Sequence, residues 1–403
     1  MPIASEQEQS PTERARRNDT TVSATRHWAA VWSLSVGVFG LVTSEFLPAS
    51  LLTPIADDLG VSVGAVGQAV TATAAIAAVA AVAVIFSRVD RRFLICILSC
   101  LLIVSNIGSA LAGSLWLFIT ARAVLGIALG GTWALAAALA LRLVPKENVA
   151  KAIAIIFAGM TAASVCAPAI GSYLGYLIGW RGAFWAVAGI GSVALVAQLV
   201  ALPSLRAEST TTWRMLVDLL RYRRIYAGLI TVVFVLSAYI AGFTYIRPFL
   251  ERVTHIGDQW LAVTLLLLGL GGFAGNFAGG WGAGRSSRHA SILAAYTVGL
   301  TASVLFGGAA SFPIALTGIA LWGFAFGAFP VSIQTWTTES ALNHAENAGA
   351  LLVATFQVAV MAGASVGGLV ENTFGAAGPI GYCAIAALCG GLAMAGLTRR
   401  DDT

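Results

Sequence analysis

The sequence predicts an all-α integral membrane protein, with twelve transmembrane helices in two pseudo-symmetric six-helix bundles. Three observations predict it. Of 403 residues, 58% are hydrophobic and only 10% charged, where soluble domains carry about 25% charged residues. Apolar runs of about 20 residues, the length that spans a bilayer, recur twelve times between charged or turn-forming segments. The basic residues alternate between the two sides of those runs, as the positive-inside rule requires.

The first 27 residues are polar, with Arg14, Arg16, Arg17 and Arg26, and lack the apolar stretch of a signal peptide. They read as a cytoplasmic tail. The first run, about 28–52, holds Glu45 well inside it, with no other charge before Asp57. A carboxylate in hydrocarbon is costly and marks an ion or substrate pathway by default. The alternative is a carboxylate solvated among headgroups. The second run, about 62–86, carries Gln68 and ends at the basic stretch Ser87, Arg88, Val89, Asp90, Arg91, Arg92. The third covers about 93–112.

The fourth and fifth runs, about 115–143 and 150–177, are long enough to require tilt or extension beyond the bilayer. The fourth carries Arg122 and Trp133. Arg122 stays charged in any environment. It either finds an acceptor inside the bundle, with Glu45 as the carboxylate in reach directly or through water, or it snorkels outward from the start of its helix. The fifth carries Pro168, predicted to kink it, and Gly171, which allows a close helix crossing. The sixth, about 182–204, completes a first bundle spanning 28–204.

A linker follows at 205–225. Its Trp213, Leu216, Leu220 and the basic Arg221 to Arg224 predict a short amphipathic helix on the inner membrane surface. The second bundle, 226–397, holds runs at about 226–248, 259–283, 290–310, 312–336, 348–370 and 378–397, with a short tail at 398–403. Its polar and aromatic candidates for a substrate cavity are Tyr239, Tyr245, Asn276, Trp322, Gln334 and Gln357, beside Gln68 and Trp133 of the first bundle. Each is equally open to a structural role, since polar residues often bond a neighbouring helix and aromatics often sit at the membrane interface. Arg247 and Glu251, four apart, suit a local solvated pair better than a gate.

With the N-terminus inside, all but four of the 23 Lys and Arg residues fall in inner segments, the exceptions being Arg122, Arg181, Arg247 and Arg252. Both termini are therefore expected inside. The halves also repeat. At an offset of 197, residues 87–92 fall on Gly284 to His289, Phe46 falls on Phe243, and Leu59-Gly60 falls on Ile256-Gly257. Duplicated bundles of this kind can rock about a midplane site.

Several classes are disfavoured. The basic residues flank apolar runs and form no soluble patch, so no nucleic-acid partner is implied, despite a pI near 9.1. The five cysteines lie in apolar runs without metal-ligand spacing, which implies neither a disulfide framework nor a metal site. His27, His255, His289 and His344 lie at loops and join no recognisable catalytic set, so an enzyme is disfavoured. No phosphate-cradling glycine pattern points to ATP.

Residues 83–92 resemble the inner gating motif of the major facilitator superfamily. The arginines match; Ser87 stands at the motif aspartate and Asp90 at a motif glycine, with Asp90 able to supply a carboxylate three residues on. Thr120 to Gly131 is similar to the superfamily's intramembrane arginine motif, which implies a role for Arg122 in proton coupling, with Leu125 in place of the motif glutamine. Ala163 to Ser172, around Pro168 and Gly171, resembles the antiporter motif with three of its glycines replaced. Ser44 to Pro48 with Ser50 to Ala56, the 87–92 stretch, Leu141 to Pro145, Ile178 to Phe184 and Glu346 to Gly349 look most like the drug:proton antiporter branch, specifically its purine ribonucleoside efflux pumps.

The resemblance implies a secondary transporter of the bacterial inner membrane that needs no cofactor, with the proton gradient as its driving force. It implies export of inosine- or guanosine-like nucleosides against protons, with the small-molecule substrate, protons and the bilayer as partners and a monomeric state. The competing readings are a proton-coupled exporter of sugars or amphiphilic drugs and, more remotely, a polytopic membrane enzyme or a non-transporting receptor.

Overall fold

The computed structural model describes residues 11–85, 89–145, 149–205, 222–341 and 345–398. Ser87 and Arg88 of the basic stretch and most of the expected linker helix lie outside these. The described residues form helices α1 (Pro11–Leu59), α2 (Val63–Ile85), α3 (Arg91–Ala110), α4 (Leu115–Leu143), α5 (Val149–Ala201), α6 (Arg223–Thr244), α7 (Ile246–Arg252), α8 (Asp258–Gly308), α9 (Phe312–Ser340), α10 (Ala345–Phe374) and α11 (Gly378–Thr398). Helix α1 begins at Pro11, well before the apolar run. From Pro11 on, the polar stretch expected to be a tail therefore continues the same helix.

Ten of these helices are long and apolar enough to cross a membrane. Two of the ten are of double length, with spans of 44 residues in α5 and 50 in α8. A straight helix of 44 residues would reach about 66 Å at 1.5 Å per residue, twice a bilayer's ~30 Å core. Both are broken in the middle. In α5 the break is Gly179, with φ 75° and ψ 163°, a conformation open to glycine at little cost. Before it, Gly159 meets Ser35 and Gly171 meets Leu47 and Ser50, so α5 runs beside α1 in the same direction; after it, Ile190 lies near Gly40 and Gln198 near Gly37, in reverse order. In α8 the break is Ser286, and Gly282 faces Ala290 across it. Eight single helices and two folded ones accommodate the twelve predicted crossings. Pro168 lies inside helical backbone, so the sharp turn of α5 falls eleven residues beyond the kink expected there.

The apolar windows of α1 and α6 are the most enclosed, 72% and 78% buried, against 28% for α8. That places α1 and α6 at the centre and α8 toward lipid. The centre is also where the repeat closes on itself. Phe46 touches Phe243, with ring centroids 5.2 Å apart. Arg247 Nη1 donates to the Ser50 carbonyl at 2.6 Å. Both pairs are separated by the repeat offset of 197.

Cross-half contacts gather toward the end that carries the Gly60 turn. The Tyr245 hydroxyl lies 3.4 Å from the Gly64 carbonyl of α2 and 3.3 Å from the Ala364 carbonyl of α10. Ser365 donates to Thr71 at 3.1 Å. Gly67 is essential to this seam, because a Cβ there would stand on the Tyr245 hydroxyl. Gly67→Val is expected to hold this end apart, read as faster labelling of a cysteine placed at Ser365, with partial relief by Tyr245→Ala.

At the opposite end the bonds among the described residues of the first half stay within it. Asp90 caps α3, accepting from the Arg92 and Phe93 amides at 2.8 and 3.4 Å, and accepts the Ser204 hydroxyl. Arg92 Nη2 donates to the Leu199 carbonyl at 2.7 Å, Arg91 Nη1 to the Val84 carbonyl at 3.3 Å, and the Arg91 amide to the Leu205 carbonyl at 2.8 Å. The Asp90 carboxylate is thus committed to a helix cap and a hydroxyl. Burial opposes its ionisation, yet the bonds from Ser204 and the backbone amides of Arg92, Phe93 and Leu205 outweigh it and hold its pKa below the ordinary carboxylate value. A lowered folded-state pKa contributes stability above the unfolded value that is lost as pH falls through the folded one. Asp90→Ala is therefore expected to cost about 1 kcal/mol at neutral pH, as for other N-caps, and the difference from the unmutated protein is expected to shrink as pH falls below about 4 and to vanish once pH passes the lower folded-state value. Thermal unfolding in detergent across pH measures both.

Candidate substrate and proton site

The candidate site is built on α1, where two prolines alter the helix. Ser44's carbonyl would ordinarily accept the amide of residue 48, and Ser50's that of residue 54. Both positions are proline, which has no N–H to give. Each freed carbonyl is taken by an arginine. Arg122 Nη2 donates to Ser44 O at 2.7 Å, and Arg247 Nη1 to Ser50 O at 2.6 Å.

Arg122 does not snorkel: it is 1% exposed. Its Nη1 also donates to Ser44 Oγ at 3.1 Å, and the Phe184 ring lies 5.8 Å from the guanidinium carbon. Ser44 Oγ donates onward to Asn106 Oδ1 at 2.9 Å. Glu45, the next residue along α1, is half-buried and lies within electrostatic reach of Arg122. Among the described residues no ion pair joins them. The two opposite charges expected to communicate are thus neighbours, with Arg122 seated on Ser44.

One residue beyond Glu45, Phe46 opens onto an aromatic cluster of the second half. Tyr239 stacks on Phe326 with centroids 3.4 Å apart, on Phe243 at 5.7 Å and against Trp322 at 4.6 Å. Phe46 and Phe326 are half-buried while Tyr239 and Trp322 are buried. Two cavity candidates, Tyr239 and Trp322, therefore come together near Glu45. Sequence reasoning did not single out Phe326, which lies four residues from Trp322 on the same face of α9.

The other candidates scatter. Tyr245 is wholly buried in the seam between the halves. Gln68 is half-buried opposite Gly368 in the same seam. Trp133 is half-buried and packs against the apolar core of the first half. Asn276 is half-buried on α8 and Gln334 is exposed on α9. Gln357 is 8% exposed and its amide nitrogen has no hydrogen-bond partner.

Arg247 and Glu251 correct the expectation of a solvated pair. Arg247 Nε meets Glu251 Oε1 at 2.6 Å, with side chains 9% and 22% exposed. Each also reaches across to α1: Arg247 to the Ser50 carbonyl, and Glu251 Oε2 to the Thr53 hydroxyl at 2.6 Å. The pair latches the two halves. The missed signal is Pro54, which frees the Ser50 carbonyl to take another donor.

The sequence profile of the Major Facilitator Superfamily matches residues 34–364. The chain belongs to the Major Facilitator Superfamily. As a member it is a multi-pass membrane transporter and not an enzyme. It is 37% identical over 368 residues to the purine ribonucleoside efflux pump NepI of Salmonella typhimurium, covering 91% of each chain. It is 38% identical over 359 residues to NepI of Escherichia coli O6:H1, covering 88% of this chain and 90% of the relative. Among solved structures, the nucleoside transporter NupG superposes with a TM-score of 0.74 at 12% identity, over 91% of this chain and 99% of that one. A bacterial homologue of the human lysosomal transporter Spinster, in an inward-facing and unoccupied conformation, superposes with a TM-score of 0.73 at 16% identity, over 94% and 95%. At these identities the two structures speak for the major facilitator fold alone.

Proposed function

We propose that this protein exports purine ribonucleosides across the bacterial inner membrane in exchange for protons. The cargo is supported by similarity along nearly the whole chain to NepI pumps. The aromatic faces of Tyr239, Trp322, Phe243 and Phe326 suit a planar base. The observation that carries the coupling is Glu45: a half-buried carboxylate deep in α1, beside a buried arginine whose two Nη groups are both bonded to Ser44.

In this reading both termini face the cytoplasm and the Gly60 end faces outward. The seam at Tyr245 and the latch at Arg247 then close the outer side in the described conformation. Nucleoside enters from the cytoplasm and rests on the aromatic cluster. Rocking breaks the outer seam and releases the nucleoside outside. A proton taken by Glu45 from the outer side returns with the empty carrier and is lost to the cytoplasm. The protein acts as a monomer, and the proton gradient alone drives it.

Counterflow of radiolabelled inosine in proteoliposomes, with and without an imposed pH gradient, tests this. Saturable inosine exchange that the gradient accelerates is the expected result. Folded protein with no inosine flux overturns the cargo, and inosine exchange indifferent to the gradient overturns the antiport.

A further inference from the structure

Arg122 lies beside Glu45 without bonding it, and the chain shows what keeps it there. In an uninterrupted helix the Ser44 carbonyl would accept the amide of residue 48 and share itself between that amide and a guanidinium. Pro48 removes its helical partner, and Arg122 Nη2 fills the vacancy at 2.7 Å. The second bond needs the Ser44 hydroxyl to turn a lone pair toward Arg122 Nη1, 3.1 Å away. It does so because its proton points to Asn106 Oδ1 at 2.9 Å. Asn106 is itself oriented, since its amide nitrogen donates to the Leu102 carbonyl at 2.8 Å. Ser44 and Asn106 are wholly buried, so water does not compete for these bonds.

We infer that Pro48, Ser44 and Asn106 are positioning residues that hold Arg122 beside Glu45 and off its carboxylate. The inference rests on the antiport reading above. A carboxylate bonded directly to a guanidinium is held in its charged form, and each protonation must first break the pair. Seating the arginine on Ser44 keeps its positive charge in the neighbourhood while leaving the Glu45 oxygens open to a proton. Loss of the seat releases two guanidinium donors inside the bundle, and Glu45, one residue along, is the acceptor within electrostatic reach.

The test compares gradient-driven inosine uptake with inosine exchange at equal pH, in proteoliposomes carrying the full chain. Ser44→Ala removes the hydroxyl seat, and Pro48→Ala returns an amide to the Ser44 carbonyl. Each is expected to lower the driven-to-exchange ratio about 10-fold, the effect of one lost charge-assisted hydrogen bond of ~1.4 kcal/mol or more. Ser44→Thr, which keeps a hydroxyl, is expected to restore the ratio. A general packing defect would scale both fluxes together, and that outcome overturns the inference. Two different substitutions keep the test decisive if one variant fails to fold. Absence of driven uptake in the unmutated protein overturns the antiport reading and this inference with it. Driven uptake there, with an unchanged ratio in both variants, overturns this inference alone.

Discussion

Glu45→Gln is expected to abolish gradient-driven transport while leaving a folded carrier. The amide is nearly isosteric with the carboxyl group, so packing around Phe46 and Ser44 survives. It neither takes up nor gives up a proton in the relevant range. Gradient-driven inosine uptake is therefore expected to fall by at least about 100-fold, at the low end of what losing a proton-transfer group costs. Exchange of inosine for inosine at equal pH is expected to persist, because that half-cycle needs no proton movement. Uptake driven at the unmutated rate would remove Glu45 from the mechanism altogether. Glu45→Asp retains the group one methylene shorter and is expected to fall between the two.

Arg247→Ala is expected to open the Gly60 end. The arginine gives one bond to the Ser50 carbonyl and one to Glu251, and Glu251 in turn receives Thr53. Removing one partner of a fully buried ion pair costs about 3–5 kcal/mol. Glu251 is partly exposed here, so about 2 kcal/mol is the appropriate figure for a pair that water reaches from one side. That shifts the balance between closed and open states by roughly 30-fold. Spin labels placed across the α2–α10 seam measure it as growth of a longer distance. An unchanged distance distribution would mean that Tyr245 and the glycine seam close this end unaided. Pro54→Ala is expected to act in the same direction, since the returned amide competes for the Ser50 carbonyl.

Much of the architecture was legible because membranes impose simple rules. Apolar length placed the helices, and Ser44, Glu45, Phe46, Pro48 and Ser50 lay inside the first predicted run, while Thr53 and Pro54 lie just past its end near residue 52 in a helix that continues to Leu59. The two reversals at Gly179 and Ser286 fall between predicted runs, and each is made by a single residue of non-helical backbone with helix on either side of it. Glu45 and Arg122 were legible for the same reason, as charges where charge is expensive. Their partners were harder to see. Arg122 was expected to look for a carboxylate and found Ser44; Arg247 was expected to remain in water and found Ser50. In both cases the acceptor is a backbone carbonyl, and every residue has one. Only the proline four positions later distinguishes these two. The cavity candidates fared unevenly because aromatic and amide side chains serve a seam, a core or a pocket with the same chemistry. Tyr239 and Tyr245 lie six residues apart on one central segment, yet one joins the aromatic cluster and the other seals the halves together.

The repeat-related contacts carry a consequence for how the two copies diverged. Under a two-fold axis, a residue that touches its own counterpart must lie on that axis. An ancestral pair of identical copies could therefore only have set like against like there. Phe46 against Phe243 satisfies that condition, since two rings attract edge to face. Position 50 against 247 does not: two arginines repel, and two serines hold no charge. One copy has become the acceptor, through Ser50 and its Pro54, and the other the donor, through Arg247 and the Glu251 that stands at the counterpart of Pro54. The copies are no longer interchangeable. Exchanging the two side chains, as S50R with R247S, would not rebuild the latch, because the carbonyl of residue 247 lies within α7 and has an amide at position 251 to accept. The duplicated halves thus retain a common outline, while the bond that closes them has acquired a direction.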